Sequence, residues 1–161
     1  MTGFRRGVRL GIDVGKARVG VARSDPDGML ATPVETVPRD DSLVGGSIDR
    51  LVALANEHSA TELLVGLPLN MRGEDTASTI DARDFAAALA AASGLPVRLV
   101  DERLSTVSAH AVLRDSGRTQ RSSRNIVDQV AAVVLLQQAL DVEKSTGRPA
   151  GFPVPEAQEP A

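Results

Sequence analysis

From Val8 to Val14 the chain alternates. Leu10, Ile12 and Val14 share one side and Gly11 and Asp13 the other, the two-residue period of a strand. A turn of Gly15, Lys16, Ala17 and Arg18 leads to a second strand over 19–23, and Asp25-Pro26-Asp27-Gly28 marks another turn. Residues 30–37 predict a third strand, which Pro33 consigns to an edge or a bulge. Three strands in such quick succession form an antiparallel meander.

Beyond residue 38 the period changes. Asp40, Asp41 and Ser42 offer a helix cap, and Ile48, Leu51, Val52 and Ala55 recur at helical spacing. A short apolar strand over 62–66 runs into Leu67, Pro68, Leu69 and Asn70 and then a polar loop as far as Thr79. Phe85, Ala88, Leu89 and Ala92 mark a second helix, closed by Gly94 and Pro96, and 97–100 is another apolar strand. Ser105 can cap a third helix ending near Leu113; 115–123 reads as a polar loop and 124–143 as a long, apolar helix. The order βββ-α-β-α-β-α-α predicts an α/β fold: a mixed five-stranded sheet, three antiparallel strands followed by parallel ones, flanked by helices. Residues 1–143 form the expected domain. Residues 144–161, rich in proline and glycine, read as a disordered tail.

Composition narrows the function. With 161 residues there is material for one core, and no apolar run reaches membrane-spanning length. The N-terminus has arginines but no apolar leader, which predicts an unexported, cytoplasmic protein. The absence of cysteine removes disulfides, thiolate zinc sites and cysteine nucleophiles. A net charge of −3 means that any contact with a polyanion must come from a local patch, and three phenylalanines as the only aromatics exclude a base-stacking platform.

Three places could carry chemistry. Asp13 sits near the end of a buried strand, where a carboxylate must be paired or hold a metal, unless it serves as a turn residue binding backbone amides. Asp101 and Glu102 follow a strand at the carboxyl end of the sheet, where α/β folds place their sites; capping the next helix or pairing with Arg103 is the plainer role. Asp128 interrupts an apolar run on the helix face carrying Ala131, Ala132 and Leu135, so it should point at protein; its plainer role is to meet the positive end of the helix dipole. Carboxylates from two strands and a helix suit Mg²⁺ or Mn²⁺, which bind through a few carboxylates, phosphate and water. Two such ions can activate water against a phosphodiester. His58 and His110 are isolated and read as surface residues. Four arginines, Arg114, Arg118, Arg121 and Arg124, stand against the single acid Asp115 just before Asp128, a cationic segment of the kind a phosphate backbone needs. Arg5, Arg6, Arg9, Lys16, Arg18 and Arg23 are expected to add positive charge near Asp13. No Walker A, dinucleotide-binding glycine motif or nucleophile elbow is present.

The blocks GIDVGKARVGVARSD (11–25), VGLPLNMRG (65–73), VDERLSTVSAH (100–110) and NIVDQVAAVVLLQQAL (125–140) together resemble the YqgF/RuvX family of RNase H-like proteins. That resemblance implies an acidic, metal-binding catalytic triad on Asp13, Glu102 and Asp128. It implies a nuclease maturing the 5′ end of pre-16S rRNA, with four-way (Holliday) junction resolution as the alternative. Lys16, Arg18, Asn70, Arg103, Arg118, Arg121 and Arg124 are the expected nucleic-acid contacts. The partner would be pre-16S rRNA, alone or in a pre-ribosomal particle, or a DNA junction. Paired junction cuts call for a homodimer, whereas RNA trimming is open to a monomer. Two other classes remain as alternatives. An actin-like kinase or ATPase would need two domains of this kind, and a non-catalytic ribosome-assembly factor would not need the triad.

Overall fold

A computed structural model describes residues 4–42, 44–101 and 120–154, with side chains from 129 onward in the last stretch. Strands β1 (Val8–Val14), β2 (Arg18–Ser24) and β3 (Ala31–Pro38) form the meander. They are followed by α1 (Ser47–Glu57), β4 (Ala60–Leu67), α2 (Ala77–Ser93), β5 (Val97–Asp101), α3 (Gln120–Thr146) and β6 (Phe152–Pro153). The sheet order is β3-β2-β1-β4-β5-β6. Its β1–β2, β2–β3 and β5–β6 pairs are antiparallel, and β1–β4 and β4–β5 are parallel. The helix expected between β5 and α3 lies outside the described residues.

Strand alternation divides the core into two layers. Leu10, Ile12, Val19, Val21, Leu63, Val65, Val97 and Leu99 face α1 and α2, where they meet Leu51, Leu54, Phe85 and Leu89. Ala22 and Leu64 point the other way, against Ala132, Leu136, Ala139 and Leu140 of α3. Small residues on this second side let α3 lie close to the sheet. A Cβ added at Gly11 would come within 2.8 Å of the Leu136 Cβ and 2.9 Å of the Ala132 carbonyl oxygen. Gly11→Ala is therefore expected to push α3 off the sheet and cost about 2 kcal/mol or more of stability, to be read from the midpoint of urea unfolding.

The structure corrects several expectations. The sheet has six strands instead of five. Residues 144–154, expected to be disordered, complete α3 and return to the sheet: Arg98 donates to the carbonyl oxygens of Ala150 and Gly151 at 2.8 Å each, and the Val154 amide donates to the Val97 carbonyl at 2.8 Å. Gly151, at φ +69°, makes that return possible, because a Cβ there would meet the Leu99 carbonyl oxygen at 2.0 Å. α1 is capped by Gly46 without a side-chain bond. Asp40 is instead spent on Ser42, and the Ser47 hydroxyl accepts from the Asp40 amide at 2.6 Å. α2 begins two residues before Thr79, because Thr76 and Thr79 cap it reciprocally. α3 starts at Gln120, four residues before the expected start at Arg124, so Arg121 belongs to the helix and not to the loop before it.

Candidate nucleic-acid site

The parallel strands β1, β4 and β5 end along one edge, at Val14, Leu67 and Asp101. Asp13 lies at that edge, half-buried, on the side that faces α3 because it shares the alternation of Gly11. It pairs with Gly20 across β2, and Gly20 pairs with Thr36 across β3, so the position directly opposite the carboxylate carries no side chain.

α3 runs antiparallel to β1. Glu143 meets Arg9, and Ala132 and Leu136 meet Gly11. Two residues further along β1, about 7 Å, stands Asp13. Four residues back along α3 from Ala132, about 6 Å, stands position 128. Independently, the side-chain carboxamide of Gln129 donates to the Thr36 hydroxyl at 2.8 Å, on the Asp13–Gly20–Thr36 row. The backbone of α3 at 128–129 therefore passes over the level of Asp13. The Asp128 side chain lies outside the described residues, as do Glu102, Arg103 and Arg118, and the side chains of Arg121 and Arg124. Asp101, exposed at the end of β5 and paired in register with Leu67, shares the parity of Val97 and Leu99 and so belongs to the opposite side from Asp13. Among the described residues no group of three histidine or acidic side chains could hold a metal. What suits a metal is the chemistry of the expected donors: three carboxylates, with Asp13 in a half-buried position at the edge.

Two loops flank Asp13. The β1–β2 loop closes through the Gly15 amide on the Arg18 carbonyl at 2.8 Å and leaves Lys16 exposed. Arg18 stands on the α3 side with Gly20 and Ala22, a diagonal neighbour of Asp13. The loop after β4 is built by Asn70, whose carboxamide oxygen accepts from the amides of Arg72 and Glu74 at 3.0 and 2.9 Å. Its tip presents Met71, 93% exposed, and Arg72. Asn70 thus shapes the loop, and Arg72 is the cation that its fold displays.

The positive charge expected around Asp13 is redistributed. Arg9 is four residues earlier on β1, about 13 Å away, bonded to Glu143 at 3.0 Å and stacked over Phe4 at 4.4 Å. Arg5 binds Glu62 and Glu143 at 3.0 and 2.6 Å, Arg6 pairs with Asp27 at 3.1 Å, and Arg23 pairs in register with Leu10. These four serve the opposite half of the sheet. Sequence reasoning passed over Arg39, which bonds the Gly15 carbonyl at 3.0 Å and both oxygens of Asp81 at 2.8 and 3.0 Å. Its partners are 24 and 42 residues distant in the chain, and no local pattern signals them.

The sequence profile of the RuvX family, described as Holliday junction resolvase, matches residues 7–142. A protein of Clavibacter michiganensis subsp. michiganensis named "Putative pre-16S rRNA nuclease" is 58% identical over 154 residues, spanning 94% of each chain. One of the same name from Streptomyces coelicolor is 49% identical over 149 residues, spanning 92% of this chain and 88% of its own. Among solved structures, T. thermophilus RuvC in complex with a Holliday junction substrate superposes with a TM-score of 0.54 at 16% identity, over 91% of this chain and 99% of that one, a likeness of fold.

Proposed function

Because the chain belongs to the RuvX family, we propose that it is a metal-dependent endonuclease that cuts structured nucleic acid, and that its substrate is the 5′ region of pre-16S rRNA. The observation that carries the reading is the half-buried Asp13 at the carboxyl edge, with α3 crossing at its level through position 128. Asp13 and Asp128 would hold the metal, and Glu102 would hold it or orient the attacking water. Bound there, Mg²⁺ or Mn²⁺ would acidify that water and offset the charge gathering on the phosphodiester. Lys16 and Arg18 beside Asp13, and Arg72 on the loop shaped by Asn70, grip phosphates on one side. Arg103, Arg118, Arg121 and Arg124 supply further phosphate contacts. Such contacts hold the backbone and read little sequence, which suits a chain with three aromatic residues. No helix among the described residues is long and apolar enough to cross a membrane, and we place the activity in the cytoplasm, on the pre-ribosomal particle.

The fold shared with RuvC and the family's own description favour a second reading, resolution of four-way DNA junctions by a homodimer. A cleavage assay decides between them. A 5′-leader 16S RNA and a synthetic four-way junction are incubated in parallel with Mg²⁺, Mn²⁺ or chelator. Metal-dependent cutting of the RNA alone is expected. Paired symmetric nicks in the junction alone would make the chain a resolvase, and binding of RNA without cutting by either metal would leave it an assembly factor.

A further inference from the structure

We propose that Arg39 is a positioning residue for Lys16: it clamps the β1–β2 loop against α2 and occupies the carboxylate that would otherwise neutralise the lysine. The inference rests on the nucleic-acid reading of this edge. Lys16 is flanked by two backbone carbonyls, and Arg39 holds both: its amide donates to the Ala17 oxygen at 2.9 Å and its guanidinium to the Gly15 oxygen at 3.0 Å. The rest of the guanidinium is anchored away from the loop. It forks onto Asp81 of α2 at 2.8 and 3.0 Å, bonds Asp41 at 2.8 Å, and lies 4.9 Å over the Phe85 ring. The Arg39 side chain is only 11% exposed, so this is a packed joint and not a solvated surface pair.

The geometry does two things for Lys16. It fixes the backbone on either side of an exposed side chain, which lowers the entropy lost when that side chain meets a phosphate. It also ties up Asp81. The Asp81 carboxylate and the Gly15 carbonyl, one residue before Lys16, share one nitrogen of the Arg39 guanidinium at 3.0 Å each, which sets the carboxylate beside the loop, and Lys16 itself has no ion pair among the described residues. With the fork gone, Asp81 becomes a counter-charge for Lys16 and competes with phosphate. A lysine at position 39 could keep the charge but not the planar fork that reaches Gly15 and Asp81 together.

The test is a double-mutant cycle on the affinity for the 5′-leader RNA, measured across a salt series. Lys16→Ala is expected to weaken binding and to reduce the salt slope by about one. Arg39→Ala should weaken binding about fivefold when Lys16 is present and less than about twofold when position 16 is already alanine. Should Arg39→Ala fail to fold, Arg39→Lys completes the same cycle. Amide hydrogen exchange supplies a readout that needs no substrate: the amides of Gly15 and of residue 39, which bond the Arg18 and Ala17 carbonyls, should exchange about tenfold faster in Arg39→Lys, with those of β1 unchanged. Additive effects of the two substitutions, or unchanged protection of the loop, would overturn the inference and leave the nuclease reading intact. A wild-type chain that binds neither RNA nor junction would overturn both.

Discussion

Asp13→Asn is expected to lower metal-dependent cleavage by at least about a thousandfold, or about 4 kcal/mol of transition-state stabilisation, while the protein stays folded. Asparagine keeps the shape of aspartate and loses its charge, so the substitution asks what the carboxylate itself contributes. In register across the sheet stand Gly20 and then Thr36, with Arg18 diagonal to it, and the β1–β2 ladder that holds position 13 uses only backbone groups. Asparagine keeps an acceptor oxygen in the same place, and the charge of a partly exposed carboxylate contributes at most about 1 kcal/mol to folding. The thermal midpoint should therefore move by no more than about 2 °C, less than about 1 kcal/mol for a chain of this size. Substrate affinity should fall far less than turnover, because the cations of the two loops remain. A variant that still cut within about tenfold of wild type would place the reacting phosphate elsewhere. Loss of cutting together with loss of fold would show Asp13 to be structural.

The residues that could be read in advance share one property: their role follows from near neighbours in sequence. Strict alternation in β1 put Gly11 and Asp13 on one side, and the structure adds why Gly11 has no side chain, since α3 runs against it. The apolar run at 124–143 predicts a long helix with one face toward protein, and Ala132, Leu136 and Ala139 pack on the sheet. What escaped was set at a distance. β6 is two residues long and has no period to detect; it exists because Arg98 and Val97 supply partners for the chain at 150–154. The start of α2 is a pair of threonines, whereas the usual sequence signal has a glutamate or glutamine at the second position. The number of arginines near the N-terminus says nothing of the direction of β1. A strand advances about 3.3 Å per residue, so Arg5 and Arg9 belong to the far end from Asp13, where buried carboxylates were waiting for them. At the site, Asp13 was legible as a charge on a buried strand, whereas Arg39 was not, because its meaning lies in Gly15 and Asp81, which only the fold brings to it.

That far end carries the largest stability effect expected in the molecule. Glu143→Ala should destabilise the fold by about 3–5 kcal/mol, lowering the thermal midpoint by about 10 °C. Glu143 is buried at the end of α3 and satisfies two arginines: it accepts from the Arg5 amide and guanidinium at 2.9 and 2.6 Å and from Arg9 at 3.0 Å. The Arg9 side chain is 3% exposed, and without Glu143 its nearest carboxylate is Glu62 at 3.8 Å. A buried guanidinium left so poorly paired costs far more than the ion pair contributes over an apolar equivalent. Acid should act in the same direction. Burial by itself raises the Glu143 carboxyl, but the Arg5 hydrogen bonds and the charges of Arg9 and Arg5 outweigh it and hold the group below its ordinary value of 4.5. A carboxyl depressed by folding stabilises in full above its unfolded value, and that contribution disappears as the pH falls from there through the folded value. Urea unfolding of wild type and Glu143→Gln should therefore differ most at neutral pH and converge below about pH 4. A gap that held constant into acid would mean that Glu143 acts through packing alone. The double replacement Arg9→Met with Glu143→Leu removes both charges and leaves the forked Arg5–Glu62 pair in place. It should recover more than half of the loss, because the penalty comes from a charge without its partner and not from the absence of a salt bridge.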